Sequence, residues 1–129
     1  MSTNATTDLT QCTAHELLAL YRSGQASPVD ATQAVLARAH RLNPRLNAFC
    51  LIDDDAALTH ARASEARWQA HRQQGAPIGA LDGVPTSIKD LVLTRGWPTL
   101  RGSRTIDPAQ PGTWMLRPPR VCAKRGPCC

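Results

Sequence analysis

Aromatic residues make up only 4% of this 129-residue chain. No apolar run approaches the ~18 residues that a membrane-spanning helix requires, so no membrane partner is expected. Met1 to Gln11 lacks a basic region followed by an apolar stretch, and a secretory signal is not expected either. No short repeat or sustained heptad is present, which excludes collagen, mucin and coiled-coil architectures. His15, His40, His60 and His71 have no metal-ligand spacing with cysteine or acid, and Cys122, Cys128 and Cys129 form neither CxxC nor a zinc-finger pattern. No metal and no cofactor are therefore expected. Gly83, Gly96 and Gly102 are too dispersed for a phosphate-cradling loop. Arg95, Arg101 and Arg104 have no aromatic residues alternating with them, so nucleic acid is not the expected partner.

Acidic residues are missing altogether from one segment. Residues 108–129 hold Arg117, Arg120, Lys124 and Arg125 and none of the 10 acids, so this tail carries +4 of the formal net charge of +5. Five of the 10 prolines and three of the five cysteines lie there too. The basic character therefore belongs to a tail and not to a surface. Residues 1–107 read as an ordinary cytoplasmic sequence with two isolated cysteines, Cys12 and Cys50, and no disulfide framework. Three segments follow from this division: a polar lead-in over 1–12, a domain portion over 13–107 and the tail over 108–129.

What is present is mostly helical in pattern. Thr13-Ala-His-Glu16 has capping-box spacing, and Gly24 offers a stop after Leu17, Leu18, Leu20 and Tyr21. Ser27-Pro28-Val-Asp30 repeats the start signal. Val29, Thr32, either Val35 or Leu36, Ala39 and Leu42 then share one side of a helix that Asn43-Pro44 is expected to end. A short apolar run from Asn47 to Ile52 is a candidate strand. The acids Asp53, Asp54 and Asp55 suit the positive end of a third helix, from about Asp55 to Gln73, with Ala57, Ala61, Ser64 and Trp68 as a small-residue stripe. A second strand is expected from Val84 to Ile88, opened by a turn at Gly83, and a loop from Leu91 to Asp107.

Lys89 is the residue with the most chemistry. Following Ile88 at a strand end, it would emerge beside Thr86, Ser87 and Asp90. A lysine held among hydroxyls and away from bulk water loses its proton more easily and can act as a base toward serine. The bland alternative is a strand running out onto a solvated surface.

Three segments are similar to the amidase signature family: Leu81-Asp-Gly-Val-Pro-Thr-Ser-Ile-Lys-Asp90, Gly96-Trp-Pro-Thr99 and Arg101-Gly-Ser103. Upstream, Thr13-Ala-His-Glu-Leu-Leu, Tyr21-Arg-Ser-Gly, Ser27-Pro-Val-Asp and Asn43-Pro-Arg-Leu-Asn-Ala-Phe49 resemble that family's N-terminal region, so the likeness covers residues 10–107. The resemblance implies an α/β enzyme several times longer than this chain, with a mixed sheet surrounded by helices. Here it implies an N-terminal helical region and the first strands of that core. It also implies amide hydrolysis by a Ser–Ser–Lys triad, with Lys89 matching the catalytic lysine. Both serines belong to a downstream Gly- and Ser-rich segment that has no counterpart in these residues. Ser87 and Ser103 do not replace them. The family contains stand-alone amidases, acting on small-molecule amides, and the amidase component of a glutamine-dependent transfer-RNA amidotransferase, which works with partner subunits. A homodimer or such subunits are the expected partners of a complete enzyme.

The tail departs from this pattern in an ordered way. Trp114 and Met115 have single codons, and reading from the last base of each codon forces Asp, and then gives Ala where Leu116 uses a four-fold codon. With G or C at free third positions, the same register gives Val-Asp-Ala-Pro-Ala-Ala-Ala-Arg-Leu-Arg-Glu-Ala-Gly-Ala-Val-Leu. That is close to the continuation expected from the resemblance. A shift of reading frame near Gln110 to Gly112, giving a truncated and inactive product, is the resulting expectation. The alternative of another class is a small helical binding module with a basic tail.

Overall fold

Three capping signals set out three helices. The computed structural model describes residues 8–109, in two compact units, 8–85 and 86–109. The start of the polar lead-in, 1–7, and the tail from residue 110, with the frame shift expected there, lie outside the described residues. The first unit holds α1 (Ala14–Ser23), α2 (Pro28–Leu46) and α3 (Asp54–Gln74).

Helix α1 starts as its sequence predicts. Glu16 N donates to Thr13 Oγ1 at 3.3 Å, and Thr13 N donates to Glu16 Oε2 at 2.7 Å, so two orphan donors are satisfied reciprocally. The Thr13 N–H and the Thr13 hydroxyl, which donates to the same oxygen at 2.8 Å, also hold the Glu16 carboxyl below its ordinary pKa. Gly24 closes the helix in the left-handed region at φ 75°. Helix α2 repeats the box with Ser27 and Asp30, and Pro28 occupies the first turn, where its missing N–H costs nothing. In α3 the Asp53 carboxylate accepts the Ala56 N–H at 3.0 Å, and Asp54 and Asp55 supply negative charge to the first turn.

Four expectations are corrected. Helix α2 does not stop at Asn43-Pro44; it runs through Pro44 to Leu46 and closes at Asn47, φ 47°. Local bonds offset the bond that proline cannot make: Asn47 N donates to Asn43 O at 2.7 Å, while the Asn43 amide accepts from Phe49 N at 2.9 Å and donates to Phe49 O at 3.1 Å. The inward face of α2 is Pro28, Ala31 and Thr32, whereas Val35 is 37% exposed. Residues 47–52 form no strand. Residues 84–88 follow the expected turn but form no strand either. Among the described residues there is no strand at all. The physical reason is that a strand is defined by a ladder, and neither segment meets a neighbour to pair with among the described residues. The described part of the chain is thus helical, and the sheet half of the α/β expectation is not seen in it.

The core of the first unit lies where α3 packs against α1 and α2. Leu17, Tyr21, Ala31 and Trp68 form it, with Leu9, Cys12, Leu18, Ile78 and Val84 packed against them. The small-residue stripe of α3 is used as expected: Ala61, Ser64 and Trp68 are its buried residues. Tyr21 and Trp68 meet edge to face, with centroids 5.8 Å apart and planes at 63°. Such a contact stabilises by about 0.5–1.5 kcal/mol beyond simple burial. Burial also pushes the Tyr21 phenol well above its usual pKa, so the hydroxyl remains a donor.

Candidate functional site

The segment that carries the candidate lysine begins in the first unit, at a turn the helices hold by five donors from four side chains. Tyr21 Oη donates to Gly83 O at 3.0 Å, and Trp68 Nε1 donates to Asp82 O at 3.0 Å. The Asp82 carboxylate accepts from Ser64 Oγ at 2.5 Å, from Arg67 Nε at 2.5 Å and from Arg67 Nη2 at 2.7 Å. Asp82 is 4% exposed. Burial pushes its carboxyl pKa up, but the bonds from Arg67 and Ser64 outweigh that and hold it below the ordinary carboxylate value. The two large aromatics of the core therefore use their polar ends to grip consecutive backbone carbonyls, and α3 holds the side chain between them.

Gly83 is the residue that makes this approach possible. Its φ is +82°, and a Cβ there would sit 2.6 Å from Ser64 Oγ and 2.7 Å from Pro28 Cγ. Both the backbone conformation and the space disfavour any other residue. Sequence reading placed a turn at Gly83 but missed Asp82, whose partners lie 15 and 18 residues away on α3. A lone acid in Leu81-Asp-Gly carries no local signal for that.

The second unit contains Lys89. Thr86, Ser87, Ile88 and Lys89 are all exposed, with Ile88 at 48%. The expectation of a lysine withdrawn from water among hydroxyls is therefore corrected for the described residues, in which the Lys89 ammonium has no hydrogen-bond or ion-pair partner. The cause is visible beside it: Leu91 is 55% exposed and Val92 51%, so no apolar cover excludes water. The backbone at Lys89 is nevertheless held. Its carbonyl accepts Leu91 N at 2.7 Å and Val92 N at 3.0 Å, which turns the chain directly after the lysine. Asp90 Oδ1 accepts Leu100 N at 2.8 Å, and its Oδ2 accepts Gly102 N at 3.4 Å.

The remaining candidates have structural partners. His40 Nε2 lies 2.9 Å from both Asp54 carboxylate oxygens on an exposed face. His71 Nδ1 lies 2.7 Å from Ala76 O, with its ring edge-on to Trp68. Ser103 Oγ pairs with Thr105 Oγ1 at 2.7 Å and accepts the Thr105 N–H at 3.2 Å. Cys12 and Cys50 are free thiols. No helix of the described residues is long and apolar enough to cross a membrane.

Comparison with known proteins bears on these segments. The family model described as Amidase matches residues 30–111, which includes both Asp82-Gly83 and Lys89-Asp90. A glutamyl-tRNA(Gln) amidotransferase subunit of Myxococcus xanthus is 46% identical over 99 residues, covering 77% of this chain and 20% of that protein. The corresponding amidotransferase subunits of Salinispora arenicola and Streptomyces coelicolor are 43% and 36% identical over 100 residues, 78% of this chain, and 20% and 19% of theirs. The chain thus spans about a fifth of the length of the curated relatives it matches. No solved structure matches it. On the extent of the family match, through the segment bearing Lys89, this chain belongs to the amidase family.

Proposed function

We propose that the chemistry of this chain's lineage is hydrolysis of a carboxylic amide, with Lys89 as the base. The observation that carries the proposal is the family match across Gly83-Val-Pro-Thr-Ser-Ile-Lys-Asp90. In the complete reaction a serine hydroxyl attacks the amide carbonyl, its proton passes through a second serine toward the Lys89 amine, and ammonia or an amine leaves. Water then cleaves the acyl-serine bond. Neither serine has a counterpart in this chain, so the 129-residue protein is expected to be inactive: the base alone retains little of a cooperative triad's benefit. The amidotransferase component is the second reading, and the names of the relatives at 36–46% identity favour it. On that reading the amide is glutamine and partner subunits are required.

The tail belongs to the same proposal. The family match ends at residue 111, and a frame shift near Gln110 to Gly112, the reading that the codon register of Trp114 and Met115 supports, would account for that end. Sequencing the gene through Gln110 to Gly112 and translating the corrected frame is the deciding experiment. It should reveal the Gly- and Ser-rich segment. The restored enzyme should hydrolyse amides and lose that activity on Lys89→Ala, while the 129-residue chain should show no turnover above its own Lys89→Ala control. A restored enzyme indifferent to Lys89→Ala refutes the assignment of the base. Glutamine hydrolysis that appears only with partner subunits present selects the amidotransferase reading.

A further inference from the structure

We propose that Asp90 is the positioning residue for Lys89, tying the turn that carries the lysine to the turn at Arg101-Gly102. The inference rests on the reading of Lys89 as the base. The Lys89–Asp90 peptide is held on both sides. Before it, the Lys89 carbonyl accepts Leu91 N and Val92 N, which commits the backbone to a tight reversal. After it, the Asp90 carboxylate reaches across ten and twelve residues to Leu100 N and Gly102 N. Thr99 Oγ1 adds a third tie, donating to Val92 O at 3.4 Å.

The receiving turn is built for this. Arg101 has φ 54° and Gly102 φ 66°, two successive residues in the left-handed region. Arg101 is one of only two non-glycine residues with positive φ among the described residues. A side chain there is disfavoured, so the conformation persists only where its surroundings hold it. The carboxylate that accepts the N–H groups on either side of Arg101 is such a hold. A carboxylate bonded to backbone N–H groups forms charge-assisted hydrogen bonds, stronger than neutral ones. The segments Ile88-Lys-Asp90, Gly96-Trp-Pro-Thr99 and Arg101-Gly-Ser103, which nothing in the triad chemistry connects, become one closed loop with the lysine at its neck.

The lysine's own ammonium has no partner among the described residues to orient it. Where that ammonium can reach depends on where its backbone is held, and that is the work assigned to Asp90. Misplacing a reacting group by about 1 Å costs on the order of 100-fold in rate. Removing the tie should act on kcat and leave ground-state substrate binding alone.

Two measurements test this. In the 129-residue chain, amide exchange at Leu100 and Gly102 should be slow, and should accelerate in Asp90→Ala but not in Lys89→Ala. In the full-length enzyme made from the frame-corrected gene, Asp90→Ala should lower kcat about 10- to 100-fold with KM within about twofold. Asp90→Asn keeps one acceptor oxygen for Leu100 N and should recover most of the rate, which a carboxylate acting as a reacting group would not allow. Fast exchange at both amides in the unaltered chain overturns the inference. So does an Asp90→Ala enzyme with unchanged kcat when Lys89→Ala is inactive, or one in which only KM moves. An enzyme indifferent to Lys89→Ala instead overturns the reading of the base, and this inference with it.

Discussion

Replacing Gly83 by alanine tests whether the segment leading to Lys89 is held by steric fit. The turn lies against the helices so closely that a Cβ would sit 2.6 Å from Ser64 Oγ and 2.7 and 2.9 Å from Pro28 Cγ and Cβ. Two costs add. The φ of +82° is strained for any L side chain, by about 1–2 kcal/mol. Inserting a methyl group into a packed site costs about 1–3 kcal/mol more, because Pro28 is a rigid ring in the first turn of α2 and Ser64 is bonded to Asp82. Any retreat of the turn also lengthens the Tyr21 to Gly83 hydrogen bond. The sum, about 2–5 kcal/mol, is a large share of the roughly 5–15 kcal/mol that stabilises a typical domain. The matched control is Gly75→Ala, where φ is +66° and a Cβ meets nothing within 4 Å, so only the conformational cost applies. Thermal melts followed by circular dichroism should lower the midpoint for Gly83→Ala by at least about 10 °C, and by clearly less for Gly75→Ala. Equal shifts for the two variants would refute the steric argument and leave backbone strain as the whole effect.

Two further outcomes follow from the same clamp. Asp82→Asn should cost about 1–3 kcal/mol near neutral pH, because one charge-assisted partner of Arg67 is weakened. The folded-state pKa of Asp82 is lowered, so its contribution is complete above the unfolded value of about 3.9 and is lost as pH falls through the folded one; urea midpoints of the variant and the parent should draw together as pH falls below the unfolded value. Trp68→Phe keeps a buried ring against Tyr21 but removes the Nε1 donor to Asp82 O, and should cost about 1–3 kcal/mol in chemical denaturation. A Trp68→Phe protein as stable as the parent would mean that the Asp82 carbonyl does not depend on that bond.

The helices were readable because their signals are local. A capping box spans four residues and a left-handed glycine stop spans one, so Thr13 to Glu16, Ser27 to Asp30, Gly24 and Gly75 each state a boundary without reference to the rest of the fold. Asn43-Pro44 misled for the same reason. Proline's local cost is real, but it is offset by the Asn43 amide reaching Phe49, a bond that residue spacing does not announce. The strands failed at the next level. A short apolar run, or one that follows a turn, describes a segment suited to a ladder, and a ladder needs a partner that neither 47–52 nor 84–88 meets among the described residues.

By itself, then, the sequence determined three helices, their starts, the stripe of α3 that faces inward, and the family resemblance of the segment that bears Lys89. Only the tertiary structure decided that Asp82 is the buried anchor of the segment before the lysine and that Asp90 closes the loop after it. Both carboxylates look like ordinary surface acids in a linear reading. Their partners are Ser64 and Arg67 in one case and Leu100 and Gly102 in the other, and hydrogen bonds across 10 to 18 residues come into being only when packing brings the elements together.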